Sequence, residues 1–253
     1  MGPGSPEENM SPSPQYEFQG RTVRLPCNVR AATSGNATFL VDASVVRRLL
    51  PGDELVVPEL LPGRALCSIA CIDYRDNDLG DYNEISIAFF VRERTASQGI
   101  PYLGTARDMM RGGLGTWIWR LPVNQSFTCE AGCGIWGFPK TVESIEFSGE
   151  GDRVACRWES DGRHVLTLRT KRGGDKSFPD REMSTYTWIE GVPHRTPFRS
   201  GASGVGFSLG GSELELGDHA VSDTLRQLGL PRRPLMSVWM EDMHGCFEAP
   251  EKL

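Results

Sequence analysis

The strongest constraint on the fold is a pair of long strand-like segments joined by a short turn. Residues 64–75 and 81–94 are rich in β-branched and aromatic side chains, which favour extended structure. The sequence DNDLG between them carries Asn, Asp and Gly, the residues typical of turns. Together these segments predict a long β-hairpin.

Further strand-like segments follow, and helical segments are few. Amphipathic helices are predicted at 42–52 and 218–230, and a third, shorter one fits 124–132. Mostly antiparallel strands with a few short helices indicate an α+β fold or a barrel rather than a doubly wound parallel sheet. The other strands are predicted at 114–121, 142–149, 152–159, 164–171, 183–190, 213–216 and 234–241.

The chain is predicted to form one domain. Its 253 residues are enough to bury a substantial core, and neither an internal repeat nor a linker divides them. Residues 1–17 are rich in Pro, Ser and Gly and are predicted to be a disordered tail that includes an expression scar. Residues 18–253 are then the domain.

Charge and cysteine content narrow the partners and the compartment. The net charge is -6 and no run of Lys and Arg occurs, which argues against nucleic acid or an anionic membrane as partner. The longest apolar stretches, such as 85–91, are too short to span a bilayer. Seven cysteines are an odd number, so a disulfide framework is not expected. With no secretory signal, we predict a cytoplasmic protein.

Two other kinds of site are disfavoured. GFSLG at 206–210 matches the serine-hydrolase pattern with Ser208 as nucleophile, but the following residues do not predict the required helix. A glycine-rich loop is expected there instead. Cys129 and Cys133 lack metal-binding spacing, and the four histidines are far apart. No metal and no cofactor are therefore expected.

The sequence GIWGFPK at 134–140 places a lysine directly behind Trp136, Phe138 and Pro139. A lysine normally keeps its ammonium in water. Held among aromatic rings, its pKa should fall, because desolvation disfavours the charged form. A neutral amine can form a Schiff base with a carbonyl substrate. Lys140 is therefore the candidate nucleophile, with Trp136 and Phe138 as candidate substrate-binding residues that exclude water.

Glu84 is the candidate proton carrier. On a strand, Tyr82, Glu84, Ser86 and Ala88 share one face, which is polar at its start and apolar beyond. That pattern is typical of a strand lining a cavity, and Tyr82 is a candidate substrate-binding residue. The alternative is a solvated glutamate near a hairpin end.

DLGDYNE (78–84) followed by GFPK (137–140) resembles the acetoacetate decarboxylase superfamily, whose members carry a Tyr-x-Glu strand and an aromatic-Pro-Lys motif. The resemblance covers roughly residues 20 to 250. It implies a cone-shaped, mainly antiparallel β-barrel with a central cavity, assembled into a homo-oligomer. It also implies a Schiff-base lysine at Lys140 and a cavity carboxylate at Glu84.

Two departures from the superfamily pattern bear on the substrate. Thr141 stands where authentic acetoacetate decarboxylases carry a second lysine. No Glu occurs between Arg64 and Glu84, where a second cavity glutamate is expected, and Asp73 is the nearest acid. Arg30 is the candidate for the superfamily's orienting arginine.

The resemblance and its departures imply a Schiff-base lyase acting on a keto acid or another carbonyl compound, other than acetoacetate itself. The reaction would be decarboxylation, or aldol, retro-aldol or dehydration chemistry through an enamine, as in enzymes of secondary metabolism. The alternative is a non-catalytic protein that binds a small molecule on the same fold. In either case the Lys140 amine is expected to face Glu84 across room for a small ligand.

Overall fold

The computed structural model describes residues 14–96 and 100–253. Within these ranges the helices are α1 (Ala43–Leu49), α2 (Leu103–Arg111), α3 (Ser126–Trp136) and α4 (Ala220–Gln227). The strands are β1 (Gln15–Phe18), β2 (Arg21–Arg24), β3 (Cys27–Asp42), β4 (Leu55–Val56), β5 (Arg64–Asn77), β6 (Tyr82–Glu93), β7 (Gly115–Val123), β8 (Lys140–Val142), β9 (Ser144–Glu150), β10 (Arg153–Ser160), β11 (Arg163–Lys171), β12 (Lys176–Ile189), β13 (Val192–Ser208), β14 (Ser212–Leu216), β15 (Met236–Phe247) and β16 (Glu251–Lys252).

Seven strands form a closed barrel of mixed direction. Hydrogen-bonded neighbours follow the order β6-β5-β3-β15-β13-β12-β7, and β7 pairs with β6 to close the ring. The β7–β12 pairing is parallel, and the other six pairings of the ring are antiparallel. Closure leaves these strands without a free edge. The predicted α+β barrel with mainly antiparallel strands is confirmed.

The barrel strand β6 is largely buried on both faces, because each face packs in a different hydrophobic cluster. In β6, Ile85, Ile87 and Phe89 pack in a first cluster, which also includes residues of α1, of α4 and of the four-stranded sheet β14-β11-β10-β9. Tyr82 and Ala88 belong to a second cluster, which also includes residues of α3 and of the β1–β2 hairpin. This division follows from the two-residue period of a strand.

The local signals predicted several elements correctly. The hairpin at 64–75 and 81–94 is formed by β5 and β6, with Ile72 opposite Glu84 and Tyr74 opposite Tyr82. The predicted helix at 42–52 is α1, and its N-cap Asp42 accepts hydrogen bonds from the amides of Ser44 and Val45.

None of the helices in the described ranges is long and apolar enough to cross a membrane.

Two expectations need correction, and some elements were not predicted. The predicted tail at 1–17 is too long, because β1 begins at Gln15 and pairs with β2; residues 1–13 lie outside the described residues. Most of the predicted glycine-rich loop belongs to β13. Glycine is required there, since a Cβ on Gly206 would lie 2.0 Å from the Gly173 carbonyl oxygen. The strand β3 and the helix α2 were not predicted.

Candidate active site

Strand β7 lies between the strands that carry the two candidate catalytic residues. On one side it pairs in parallel with β8, with Leu121 opposite Lys140. On the other side it pairs antiparallel with β6, with Val123 opposite Glu84. The connection from β7 to β8 crosses over through α3, since neighbouring parallel strands cannot be joined by a tight turn. The sheet therefore brings together residues that are 56 positions apart in the sequence.

The GFPK motif forms the exit from α3 into β8. Gly137 ends the helix in the left-handed conformation, with φ of 64°, and its amide donates to the Cys133 carbonyl. A Cβ at this position would lie 2.8 Å from the Trp188 carbonyl oxygen, so a larger residue does not fit. After Pro139 the Lys140 amide donates to the Phe138 carbonyl at 2.7 Å. This tight turn directs the chain from the helix into the strand.

Lys140 and Glu84 form a buried ion pair. The Nζ atom of Lys140 lies 2.9 Å from Oε2 of Glu84, and their side chains are only 3% and 7% exposed. Nζ also donates to Oγ1 of Thr128 on α3 at 3.1 Å, and it lies 4.8 Å from the ring centroid of Tyr82. The amine faces the carboxylate as expected, but the two groups are in contact and leave no space between them for a ligand.

The expected fall in the pKa of Lys140 is wrong. Burial lowers the pKa of this amine, but the charge of Glu84, the neighbouring Tyr82 and their hydrogen bonds together raise it above its ordinary value. Desolvation also acts on the neighbouring neutral groups, because burial raises the pKa of Tyr82 and of Cys27 to about 12. At neutral pH the site therefore holds one ammonium and one carboxylate among uncharged groups.

Tyr74 binds the second carboxylate oxygen of Glu84. Its hydroxyl donates to Oε1 of Glu84 at 3.4 Å, while Oε2 is bound to Lys140. The ring of Tyr74 stacks on Tyr82 with centroids 4.5 Å apart. Sequence reasoning missed this residue, although the hairpin register places it opposite Tyr82 and therefore on the face that carries Glu84.

Gly132 makes space for the stem of Lys140. A Cβ on this glycine would lie 2.7 Å from both Cδ and Cε of Lys140, which is closer than van der Waals contact allows. The stem therefore lies directly against α3, where Thr128 binds the amine one helical turn earlier. Sequence reasoning also missed Thr128 and Gly132, because their importance depends on how α3 packs against β8.

The predicted aromatic residues form a wall behind the turn that carries Lys140. Trp136 and Phe138 stack with centroids 5.5 Å apart, and both contact Phe247 of β15. The indole of Trp136 donates to the Glu248 carbonyl at 2.8 Å. Both residues are buried, so the wall keeps water from this side of the turn.

The structure does not bring Asp73 or Arg30 to the ion pair. Asp73 is paired with Asn83, one residue out of phase with Glu84, so its side chain lies on the opposite face of the sheet. Arg30 is half-exposed and forms ion pairs with Asp76 and Asp78. A one-residue difference in strand register removes Asp73 from the site, and surface acids bind Arg30.

The remaining candidate sites of the sequence lie elsewhere. Ser208 is the last residue of β13, and the next element is β14 rather than the helix that a hydrolase nucleophile requires. It lines a cavity of about 270 Å³, and Arg232 lines another of about 480 Å³; neither lining includes Lys140 or Glu84. Within the described ranges, no group of three or more His, Cys, Asp and Glu side chains is placed to hold a metal ion.

Three solved structures are similar in fold to this chain. One is acetoacetate decarboxylase from Legionella pneumophila (15% identity, TM-score 0.62, covering 90% of this chain and 87% of that chain). A second is the enduracididine biosynthesis enzyme MppR complexed with pyruvate (16%, 0.59, 97% and 93%). A third is an acetoacetate decarboxylase-like enzyme from Sphingomonas wittichii RW1 (14%, 0.57, 94% and 97%). No curated protein matches the chain.

At these identities the structural similarity establishes the fold alone. A family model for acetoacetate decarboxylase, however, matches residues 12–244, which is most of the chain. That range includes both the Tyr-x-Glu strand and the GFPK turn. The chain therefore belongs to the acetoacetate decarboxylase family.

Proposed function

We propose that this protein is a lyase that forms a Schiff base between Lys140 and a carbonyl substrate, with Glu84 as the proton carrier. The observation that carries the proposal is the buried contact of 2.9 Å between the amine and the carboxylate. Lys140 is the one buried lysine among the four in the sequence, since Lys171, Lys176 and Lys252 are exposed. A buried ion pair is costly to build, so a catalytic use of its proton is a reason to retain it.

Imine formation needs a neutral amine, and the ion pair supplies it by proton transfer. Because Nζ and Oε2 are in direct contact, the proton of Lys140 moves to Glu84 without an intervening water. The raised pKa of Lys140 makes this transfer unfavourable in the resting site, so the addition of the amine to the carbonyl must draw it forward. The protonated Glu84 then gives its proton to the carbinolamine hydroxyl, and water leaves.

The iminium that results is an electron sink for one of several bond cleavages. In an aldol-type reaction, Glu84 takes a proton from the α-carbon, or from a β-hydroxyl group as the carbon–carbon bond breaks. Both routes give an enamine and a protonated carboxyl group. In decarboxylation, a β-carboxylate leaves as carbon dioxide and gives the same enamine. Protonation of the enamine and hydrolysis of the imine return the lysine.

A binding protein on the same fold is the second candidate. The observation in its favour is that Glu84 stabilises the charged form of Lys140, which opposes nucleophilic attack. Such a protein would hold a small carbonyl compound without a covalent bond. We also propose that the chain assembles into a cytoplasmic homo-oligomer, which could cover exposed apolar side chains such as Leu209 and Met110.

Borohydride reduction during incubation with a panel of aldehydes, ketones and keto acids tests the two candidates. The lyase proposal predicts a stable mass increase of one adduct by intact-mass spectrometry. Lys140→Arg should lose the adduct, whereas the matched variant Lys171→Arg, at an exposed lysine, should retain it. If wild type and Lys140→Arg give the same adducts, the lyase proposal is wrong and the binding protein is favoured.

A further inference from the structure

The charged groups around Lys140 restrict the substrates that the proposed lyase can accept. The groups that contact the pair are Tyr74, Tyr82 and Thr128, all uncharged at neutral pH. The charge of Lys140 also acts on the nearby Cys27. The Cys27 thiol is neutral at neutral pH, because burial raises its pKa to about 12. The buried site therefore has one positive and one negative charge, and its net charge is zero.

Two arginines on neighbouring elements, Arg30 and Arg21, are engaged elsewhere. Arg30 of β3 is bound by Asp76 and Asp78 on the surface, so this group carries a net charge of minus one. Arg21 of β2 is exposed, and its guanidinium lies over the Phe127 ring, 3.7 Å from the centroid.

Neither β7 nor the segment after Lys140 supplies a cation to the pair. Arg120 stacks on Trp119, on the strand face opposite to the site, because Arg120 pairs with Ile87 of the first cluster. The residue after Lys140 is the exposed, uncharged Thr141. Helix α3 has no Lys or Arg, and its only charged residue is Glu130, which is exposed and bound to Gln19.

A net charge of zero suits an uncharged carbonyl compound. The ammonium of Lys140 and a neutral ketone give an iminium and water, so the positive charge stays on the same nitrogen beside Glu84. A keto acid brings a second carboxylate, and among residues 14–96 and 100–253 Lys140 is the only cation in contact with Glu84. Burying an unpaired carboxylate is strongly unfavourable, and Glu84 would repel it as well.

We propose that the Lys140 site takes an uncharged ketone or aldehyde rather than a keto acid anion, and that it performs aldol-type rather than decarboxylating chemistry. This inference rests on the proposed Schiff-base function and narrows its substrate class. Tyr74 and Tyr82 fit it, because their hydroxyl groups can donate to a neutral carbonyl or hydroxyl oxygen without changing the charge of the site.

A pair of substrates that differ only in charge gives the test. Acetoacetamide and acetoacetate have nearly the same shape, but the amide is neutral where the acid is an anion. Borohydride trapping at Lys140 is measured as a function of the concentration of each, with pyruvamide and pyruvate as a second pair. We expect half-maximal trapping by the amide at a concentration about tenfold or more below that of the acid.

A variant that restores a positive charge provides the matched control. Ile72 is paired directly with Glu84 on the same face, so Ile72→Lys places an ammonium beside the carboxylate and raises the net charge to plus one. It should cut the preference for the amide by about tenfold, whereas the uncharged Ile72→Met should leave it within about twofold. If Ile72→Lys does not fold, the wild-type comparison alone decides.

The outcomes separate this inference from the function on which it rests. Equal or better trapping of the acids at Lys140 overturns the substrate inference and leaves the Schiff-base function standing. Absence of trapping with all four compounds overturns both. Better trapping of the amides, with the preference reduced in Ile72→Lys, supports the inference.

Discussion

Glu84→Gln should make Lys140 a better nucleophile while it damages turnover. The carboxylate raises the pKa of Lys140 against the opposing effect of burial. Without the negative charge, desolvation becomes the dominant influence, and the pKa should fall below the ordinary value of 10.5. Glutamine keeps the shape of the side chain but cannot carry a proton between substrate and amine.

The size of the effect follows from the distance between the two charges. Unit charges 2.9 Å apart interact by about 6 kcal/mol at an effective dielectric constant of about 20. The neutral amine would then be favoured over the ammonium by up to roughly ten-thousandfold relative to wild type. This is an upper limit, because the glutamine amide oxygen still accepts a hydrogen bond from the ammonium.

The assay is the pH dependence of the rate of reductive trapping at Lys140. In Glu84→Gln the rise of the rate with pH should occur at lower pH than in wild type, while turnover of any accepted substrate falls by about 10² or more. The exposed Glu146→Gln is the charge-matched control and should change neither quantity. A trapping profile that stays in place, or moves to higher pH, would refute the claim that Glu84 holds the proton on the lysine.

The remaining predictions concern stability and two of the three site residues that sequence reasoning missed, Gly132 and Tyr74. In wild type the folded-state pKa of Lys140 lies above 10.5, so the stabilisation from the ion pair is fully present at pH 10.5 and is lost as pH rises through the folded-state pKa. In Glu84→Gln the folded-state pKa of Lys140 should lie below the pKa of the unfolded chain. Urea unfolding of this variant should therefore show stability rising with pH up to about the pKa of lysine in the unfolded chain. Gly132→Ala should cost about 1–3 kcal/mol of stability by urea unfolding and slow trapping. The control Gly149→Ala, where a Cβ meets nothing within 4 Å, should neither cost that stability nor slow trapping. Tyr74→Phe should lower turnover with a stability loss of about 1 kcal/mol or less, and equal turnover in this variant and in the control Tyr186→Phe would exclude a role for the Tyr74 hydroxyl.

The sequence predicted the partners of the site but not their distance. Strand alternation placed Glu84 and Tyr82 on one face, and the structure keeps that arrangement. The opposing effects of burial and of a carboxylate on the pKa of Lys140 can be weighed only when the separation is known. The position of Asp73 shows the same limit, since a shift of one residue in a strand reverses the face.

Other elements were missed because their stability comes from tertiary contacts. The strand β3 contains many small and polar residues and has a weak strand pattern, but it is paired along its length with β5 and β15. The N-cap residue of helix α2 is Tyr102, which makes no side-chain cap hydrogen bond, so the usual start signal is lacking. The sequence does indicate the break between β8 and β9 at Glu143. The apolar residues Phe138 and Val142 before it stand at even positions, and Ile145 and Phe147 after it stand at odd positions.

Peptide mapping of the borohydride-reduced adduct tests the central claim most directly. The sequence has only four lysines, and one of them is buried against a carboxylate. We predict that after incubation with acetoacetamide the added mass is found on the peptide that contains Lys140. Modification confined to the exposed Lys171, Lys176 and Lys252 or to the N-terminal amine, with Lys140 unmodified, would contradict the account.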